Sequence, residues 1–121
     1  MKELMIMGEK WTIKEVNPVT DPYMTGWNAD GYCDHSGRMI VLADGFGEPL
    51  QDENRAKKGT LRHEIVHAFQ FECGLSSNKS MDFEEMATWF AEKGSQIIQA
   101  WIDAGAIDVR FEEGKGFKCV S

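Results

Sequence analysis

The chain is expected to fold as an α+β domain, and three observations predict this. Polar and apolar residues alternate in short, turn-punctuated runs through the first half. From Thr60 the apolar spacing changes to steps of three and four, and alternating strand material returns after residue 107. A length of 121 residues is that of one domain. A single unit over 1–121 is therefore expected, in which a short antiparallel or mixed sheet packs on two helices.

The elements follow in order. "WTIKEV" (11–16) alternates and is rich in strand formers, whereas "NPVTDPYMTGWNADG" (17–31) holds two of the three prolines and reads as turns. "RMIVLAD" (38–44) is an apolar strand reached through "DHSG", so Tyr32 and Cys33 are expected to face it across a hairpin. "GFGEPLQDENRAKKG" (45–59) fits a polar loop or a surface helix over 50–58. Leu61, Ile65, Ala68 and Phe69 define the buried stripe of a helix that Gly74 stops, with Thr60 either capping it or lying inside one begun earlier. After "LSSNKS", Ser80 is the expected cap of a second helix from about Met81 to Ala104, stopped by Gly105. Its core face is drawn through Phe83, Ala87, Phe90, Gly94, Ile97, Ile98 and Trp101. "IDVRFEEGKGFKCV" (107–120) reads as a strand pair, a candidate extension of the sheet.

Composition narrows the function classes. With 42% hydrophobic residues, four Trp and seven Phe there is material for one core. Thirteen basic against twenty acidic residues, a net charge of -7 and no basic block argue against a nucleic-acid partner. No run approaches the roughly 18 apolar residues of a membrane span, and "MKELMIMGEK" lacks the apolar core of a signal peptide, so a cytoplasmic protein without a membrane partner is expected. Cys33, Cys73 and Cys119 are widely spaced without a CxxC pair, which fits reduced thiols.

Chemistry concentrates in "LRHEIVHAFQFECG" (61–74). His63 and His67 are four residues apart, so about 400° of helical rotation brings both onto one face, one turn apart, where both imidazoles reach one zinc ion. Glu64 lies about 100° from His63, placed to work as general base on a metal-activated water while remaining outside the ligand set. A catalytic zinc ion normally takes three protein ligands and keeps one position open. The metzincin continuation is excluded, because Gln70 and Cys73 stand where its glycine and third histidine belong. Glu72 is rotated away from His67 and His35 sits in the hairpin turn, so the third ligand is sought on the second helix. There Glu84 lies about 90° from the centre of the core stripe and Glu85 on the far side. Glu84 is the expected ligand, with Asp82 or Glu85 as fallback. Tyr23, Tyr32 and His35 are candidate donors to an oxyanion. The four Trp residues are expected as core or subsite walls, and Arg62 as a solvated charge or the partner of a nearby acid.

At "TLRHEIVHAFQFECGL" and "FEEMATWFAEKG" the chain resembles the minimal gluzincins, short zincin-like metallopeptidases often encoded in bacterial and phage genomes. The shared segment spans about residues 38 to 95. The resemblance implies zinc bound by His63, His67 and Glu84, with Glu64 as general base. It also implies an edge strand before the motif helix that cradles an extended peptide, which by position is "RMIVLAD" (38–44).

Three functions are weighed. The first is a zinc-dependent peptidase acting on a peptide or protein substrate. The second is a non-catalytic, zinc-stabilised module that binds a peptide or protein. The third is a metal-free helical interaction protein. Glu64 favours the first, because a purely structural zinc site has no need of a carboxylate beside an open coordination position.

Overall fold

Alternation along the strands sets which side chains are buried, and the computed structural model shows this for the residues it describes, 1–27, 30–44, 53–75 and 82–120. Strands β1 (Lys2–Ile6), β2 (Glu9–Val16), β3 (Gly31–Asp34) and β4 (Met39–Ala43) form one mixed sheet in the order β1-β2-β4-β3. β2 and β4 run parallel, and the two outer pairs are antiparallel. Leu4, Ile6, Trp11, Ile13, Ile40 and Leu42 share one face of it. Helix α2 (Glu53–Glu72) covers that face with Leu61, Ile65, Ala68 and Phe69, and helix α3 (Phe83–Asp103) adds Ile97 and Ala100. The alternate residues Val41 and Ala43 of β4 are buried on the opposite face with Met24 of the short helix α1 (Pro22–Trp27). Covered on both sides, β4 is apolar throughout rather than alternating.

Several sequence expectations are met. The hairpin pairs Tyr32 with Val41 and Cys33 with Ile40. Gly105, at φ 72°, follows the C-cap of α3, and Gly74, at φ 77°, follows α2 closely. β5 (Asp108–Glu112) and β6 (Gly116–Val120) pair as expected, but as a separate two-stranded sheet. Cys33 and Cys73 are free thiols. No helix among the described residues is long and apolar enough to cross a membrane.

Other expectations are corrected. The segment 2–6, expected only to lack a signal-peptide core, forms strand β1, with alternating burial. The stretch 17–31 contains α1, nucleated where the Asp21 carboxylate accepts from the backbone N–H of Tyr23 and Met24 and Pro22 takes the first helical position. Helix α2 begins at Glu53, so Thr60 lies inside it, its hydroxyl donating to the Ala56 carbonyl at 3.2 Å. The cap of α3 is Asp82, which accepts from Glu85 N–H at 2.7 Å. Ser80, the expected cap, lies outside the described residues, as does 45–52 of the ambiguous stretch.

Two corrections bear on the site. Strand 38–44 does not provide an open edge: β4 is hydrogen-bonded to β2 on one side and β3 on the other, so its main chain has no free row for an added peptide. The core stripe of α3 is also rotated. Ala87 is exposed, Phe90 is 49% and Ile98 41% exposed, while Gly94, Ile97, Ala100 and Ala104 are buried. Gly94 and Ile97 of the expected stripe are buried and Trp101 packs against the core, while Phe90 and Ile98 are left outside it and Ala100 and Ala104 are buried instead.

The far end of α2 is clamped to the sheet. Glu72 Oε1 accepts from Arg38 Nε at 2.7 Å and from Trp11 Nε1 at 3.0 Å, while Phe71 meets the Trp11 ring edge-on and the His35 ring face-on at 4.9 Å. The Arg38 guanidinium, helped by the indole N–H, holds the Glu72 carboxyl below the usual glutamate value. A carboxylate with a lowered value stabilises the fold above its unfolded-state value, about 4.3, and this contribution is lost as pH falls through the lowered folded-state value. Glu72→Gln should therefore reduce stability by on the order of 1–2 kcal/mol at neutral pH and by progressively less below pH ~4, measured by denaturant unfolding across pH. An equal loss at pH 7 and pH 3 would show that the charge is irrelevant. Val41→Pro, which removes a ladder hydrogen bond from an interior strand, should cost about 3 kcal/mol or more and abolish cooperative unfolding, as read by thermal melts.

Candidate metal centre

With Leu61, Ile65, Ala68 and Phe69 turned into the core, a step of about 100° per residue places His63 and His67 each about 160° from Ile65, on the outer face of α2. Their rings meet at 4.7 Å with planes at 81°, and the two Nε2 atoms are 3.0 Å apart. Two zinc–nitrogen bonds of about 2.0–2.1 Å at a tetrahedral angle leave the nitrogens about 3.3 Å apart. The pair thus fits two ligands of one ion with only a small opening. The other nitrogen of His67, Nδ1, lies 2.8 Å from Gln70 Oε1.

Glu64 points to the flank of α2 that faces β3. It is 6% exposed, the one charged residue among the buried side chains described. Burial pushes its carboxyl above the usual value, against the opposing pull of the His67 and His63 imidazoles. A carboxylate so placed has a raised affinity for a proton, as a general base near neutrality needs.

β3 lies along this flank. A Cβ at Gly31 would come within 2.8 Å of Thr60 Cγ2 and 3.1 Å of the Val41 carbonyl, so only glycine permits the close approach of the strand to α2. Cys33 Sγ donates to the Glu64 carbonyl at 3.6 Å. Burial, with the nearby Glu64 and Asp34 carboxylates adding to it, pushes the Cys33 thiol up to about 12, which keeps it protonated.

The third ligand is not brought to the pair. Glu84 and Glu85 are exposed on the first turn of α3 and line a recess of about 370 Å³ with Thr88, Trp89 and Glu92. Among the described residues no group of three or more His, Cys, Asp or Glu side chains is arranged to hold a metal ion. The rotated core stripe removes the angular ground for preferring Glu84 over Glu85. Trp101 donates to the Arg62 carbonyl at 3.3 Å and so marks the side of α3 that faces α2. On an ideal helix Glu84 lies about 100° round from Trp101 and Glu85 about 160°. Along the axis, however, Glu84 is roughly 25 Å from Trp101, whereas His63 and His67 are within about 8 Å of Arg62 on α2.

The remaining candidates make contacts within the fold. Asp82 caps α3, Glu72 is bound to Arg38 and Trp11, and His35 stacks on Phe71. Tyr32, on the sheet face opposite Cys33, donates to Asp21 Oδ2 and packs 5.4 Å from Tyr23, so both tyrosines stand away from Glu64. Arg62 donates to the Ala106 carbonyl at 2.9 Å. Trp11 is fully buried, and Trp89 and Trp101 pack against the core; the Trp27 side chain lies outside the described set. The contact of Gln70 with His67 was not anticipated from the sequence, although its place three residues after His67 was the available signal.

Comparison with protein-family models, curated proteins and solved structures finds no match to this chain.

The two glutamates are separable by zinc affinity. Glu84→Ala should weaken zinc binding at least about tenfold and Glu85→Ala less than about threefold, measured side by side by competition with a chromophoric chelator, with circular dichroism confirming that the helices persist. The reverse order would move the ligand to Glu85, and no loss in either would remove α3 from the metal site.

Proposed function

We propose that this protein is a zinc-dependent peptidase that hydrolyses a peptide bond in a peptide or protein substrate. The observation that carries the reading is the convergence of His63 and His67 Nε2 to 3.0 Å on the same helix as the buried Glu64 carboxylate. His63 and His67 would hold the ion, with Glu84 proposed as third donor, which requires the start of α3 to approach the outer face of α2. A zinc ion bound there supplies the positive charge that acidifies a water molecule and stabilises the negative oxygen developing on the scissile carbonyl.

Glu64 accepts the proton of the attacking water and returns it to the leaving amine nitrogen. Its burial favours the protonated state midway through this cycle. Substrate is proposed to lie along β3, the strand at the edge of the sheet beside α2. Because Ala43 N–H donates to the Asp30 carbonyl, antiparallel alternation turns Tyr32 toward β4 and leaves the main-chain groups of Gly31 and Cys33 directed outward. An extended peptide pairing with those groups runs past Glu64. This replaces the cradle expected at 38–44.

Glu64→Gln should bind one zinc per chain with unchanged affinity and keep the parent fold, while hydrolysis of an unbiased peptide mixture, followed by mass spectrometry, falls by about 10²–10⁴-fold. If the variant cleaves as fast as the parent, Glu64 is not the base. If the zinc-loaded parent cleaves nothing, the non-catalytic zinc-stabilised binding module takes the place of the peptidase.

A further inference from the structure

We infer that Gln70 is a positioning residue that sets the tautomer of His67 and thereby gives the two histidines unequal parts in metal uptake. The inference rests on the metal-site reading above and deepens it. His67 Nδ1 lies 2.8 Å from Gln70 Oε1, and that oxygen is only an acceptor, so Nδ1 carries the proton and Nε2 presents its lone pair. His67 Nε2 in turn lies 3.0 Å from His63 Nε2. With the lone pair on His67, the proton in that contact belongs to His63, which is fixed as the opposite tautomer, Nε2–H. A directional chain results in the neutral pair: His63 Nε2–H donates to His67 Nε2, and His67 Nδ1–H donates to Gln70.

The consequence is an asymmetry between two residues that a motif treats as equivalent. His67 keeps its ligating nitrogen unprotonated, because its ring orientation and proton position are held from behind by Gln70, and that nitrogen is released to a metal ion when His63 gives up the proton it shares with it. His63, whose ring makes no hydrogen bond through Nδ1 among the described residues, must first release its Nε2 proton. It takes up a proton at Nδ1 through solvent, so the imidazole stays neutral and the protons balance. Gln70 thus places the tautomer change that metal binding demands on the exposed histidine, which is free to make it.

The test uses the full chain with ¹⁵N-labelled histidine at about pH 8. Long-range ¹H–¹⁵N correlation spectra of metal-free protein should show His67 as Nδ1–H and His63 as Nε2–H, and zinc should convert His63 to Nδ1–H while leaving His67 unchanged. Gln70→Met, which keeps length and helix propensity but removes the acceptor, should let His67 populate both tautomers and weaken zinc binding about 10–100-fold. Gln70→Glu restores an acceptor and should return the single tautomer, with affinity within about threefold of the parent or tighter. An unchanged His67 tautomer in Gln70→Met, or zinc affinity within twofold of the parent, would overturn the inference. Failure of Gln70→Glu to recover the tautomer would do the same. If the parent binds no zinc, the metal reading fails, and the tautomers of metal-free parent and Gln70→Met still decide the role of Gln70.

Discussion

The rotation of α2 about its own axis is the constraint on which the rest depends. Leu61, Ile65, Ala68 and Phe69 must face the sheet. Burying each of the large side chains among them contributes roughly 1.5–3 kcal/mol, so a slip of one residue, about 100°, forfeits several kcal/mol at once. That requirement leaves no choice for their neighbours. Glu64 is carried to the flank beside β3 and buried there, at a desolvation cost visible in its raised proton affinity. His63 and His67 are carried to the outer face, where their nitrogens converge. The core's gain outweighs the cost of burying one carboxylate, and a fold that spends stability in this way commonly does so at a functional position.

Two further contacts hold that rotation in register with the sheet. At one end of β3, Gly31 lets the strand come against Thr60. At the far end of α2, Glu72 ties Arg38 and Trp11, while Phe71 is held between His35 and Trp11. The strand and the helix are thus pinned at both ends with Glu64 between them. Glu72 and Tyr32, candidate ligand and oxyanion donor by sequence, hydrogen-bond within this framework, and His35 stacks on Phe71. Gln70, which had no such promise, stands directly behind a proposed ligand.

Much of this was legible in the residues. The 3.6-residue period of 61–69, the two histidines four apart, the hairpin joining 32–33 to 38–42 and the glycine stops are all local patterns, set by backbone geometry within a few residues. The misreadings share a different character. In α3 the apolar stripe drawn from the periodicity holds Gly94 and Ile97, which are buried, but also Phe90 and Ile98, which are exposed, while Ala100 and Ala104, outside that stripe, are buried. Hydrophobicity marks a residue as able to be buried; the spacing between elements selects which one is.

The sequence by itself determined the α+β class, the motif helix with its inner and outer faces, and the identity of the histidine pair and its neighbouring carboxylate. These follow from periodicity, which the chain carries in its own order. Only the tertiary structure decided that β4 is interior and β3 the edge, that Glu72 is a clamp, and that Glu84 and Glu85 are exposed on the first turn of α3. Strand order and the distance between side chains on different helices depend on how separate segments pack across the core. No short window of sequence holds that information, because the free energy that settles it comes from contacts between residues far apart in the chain.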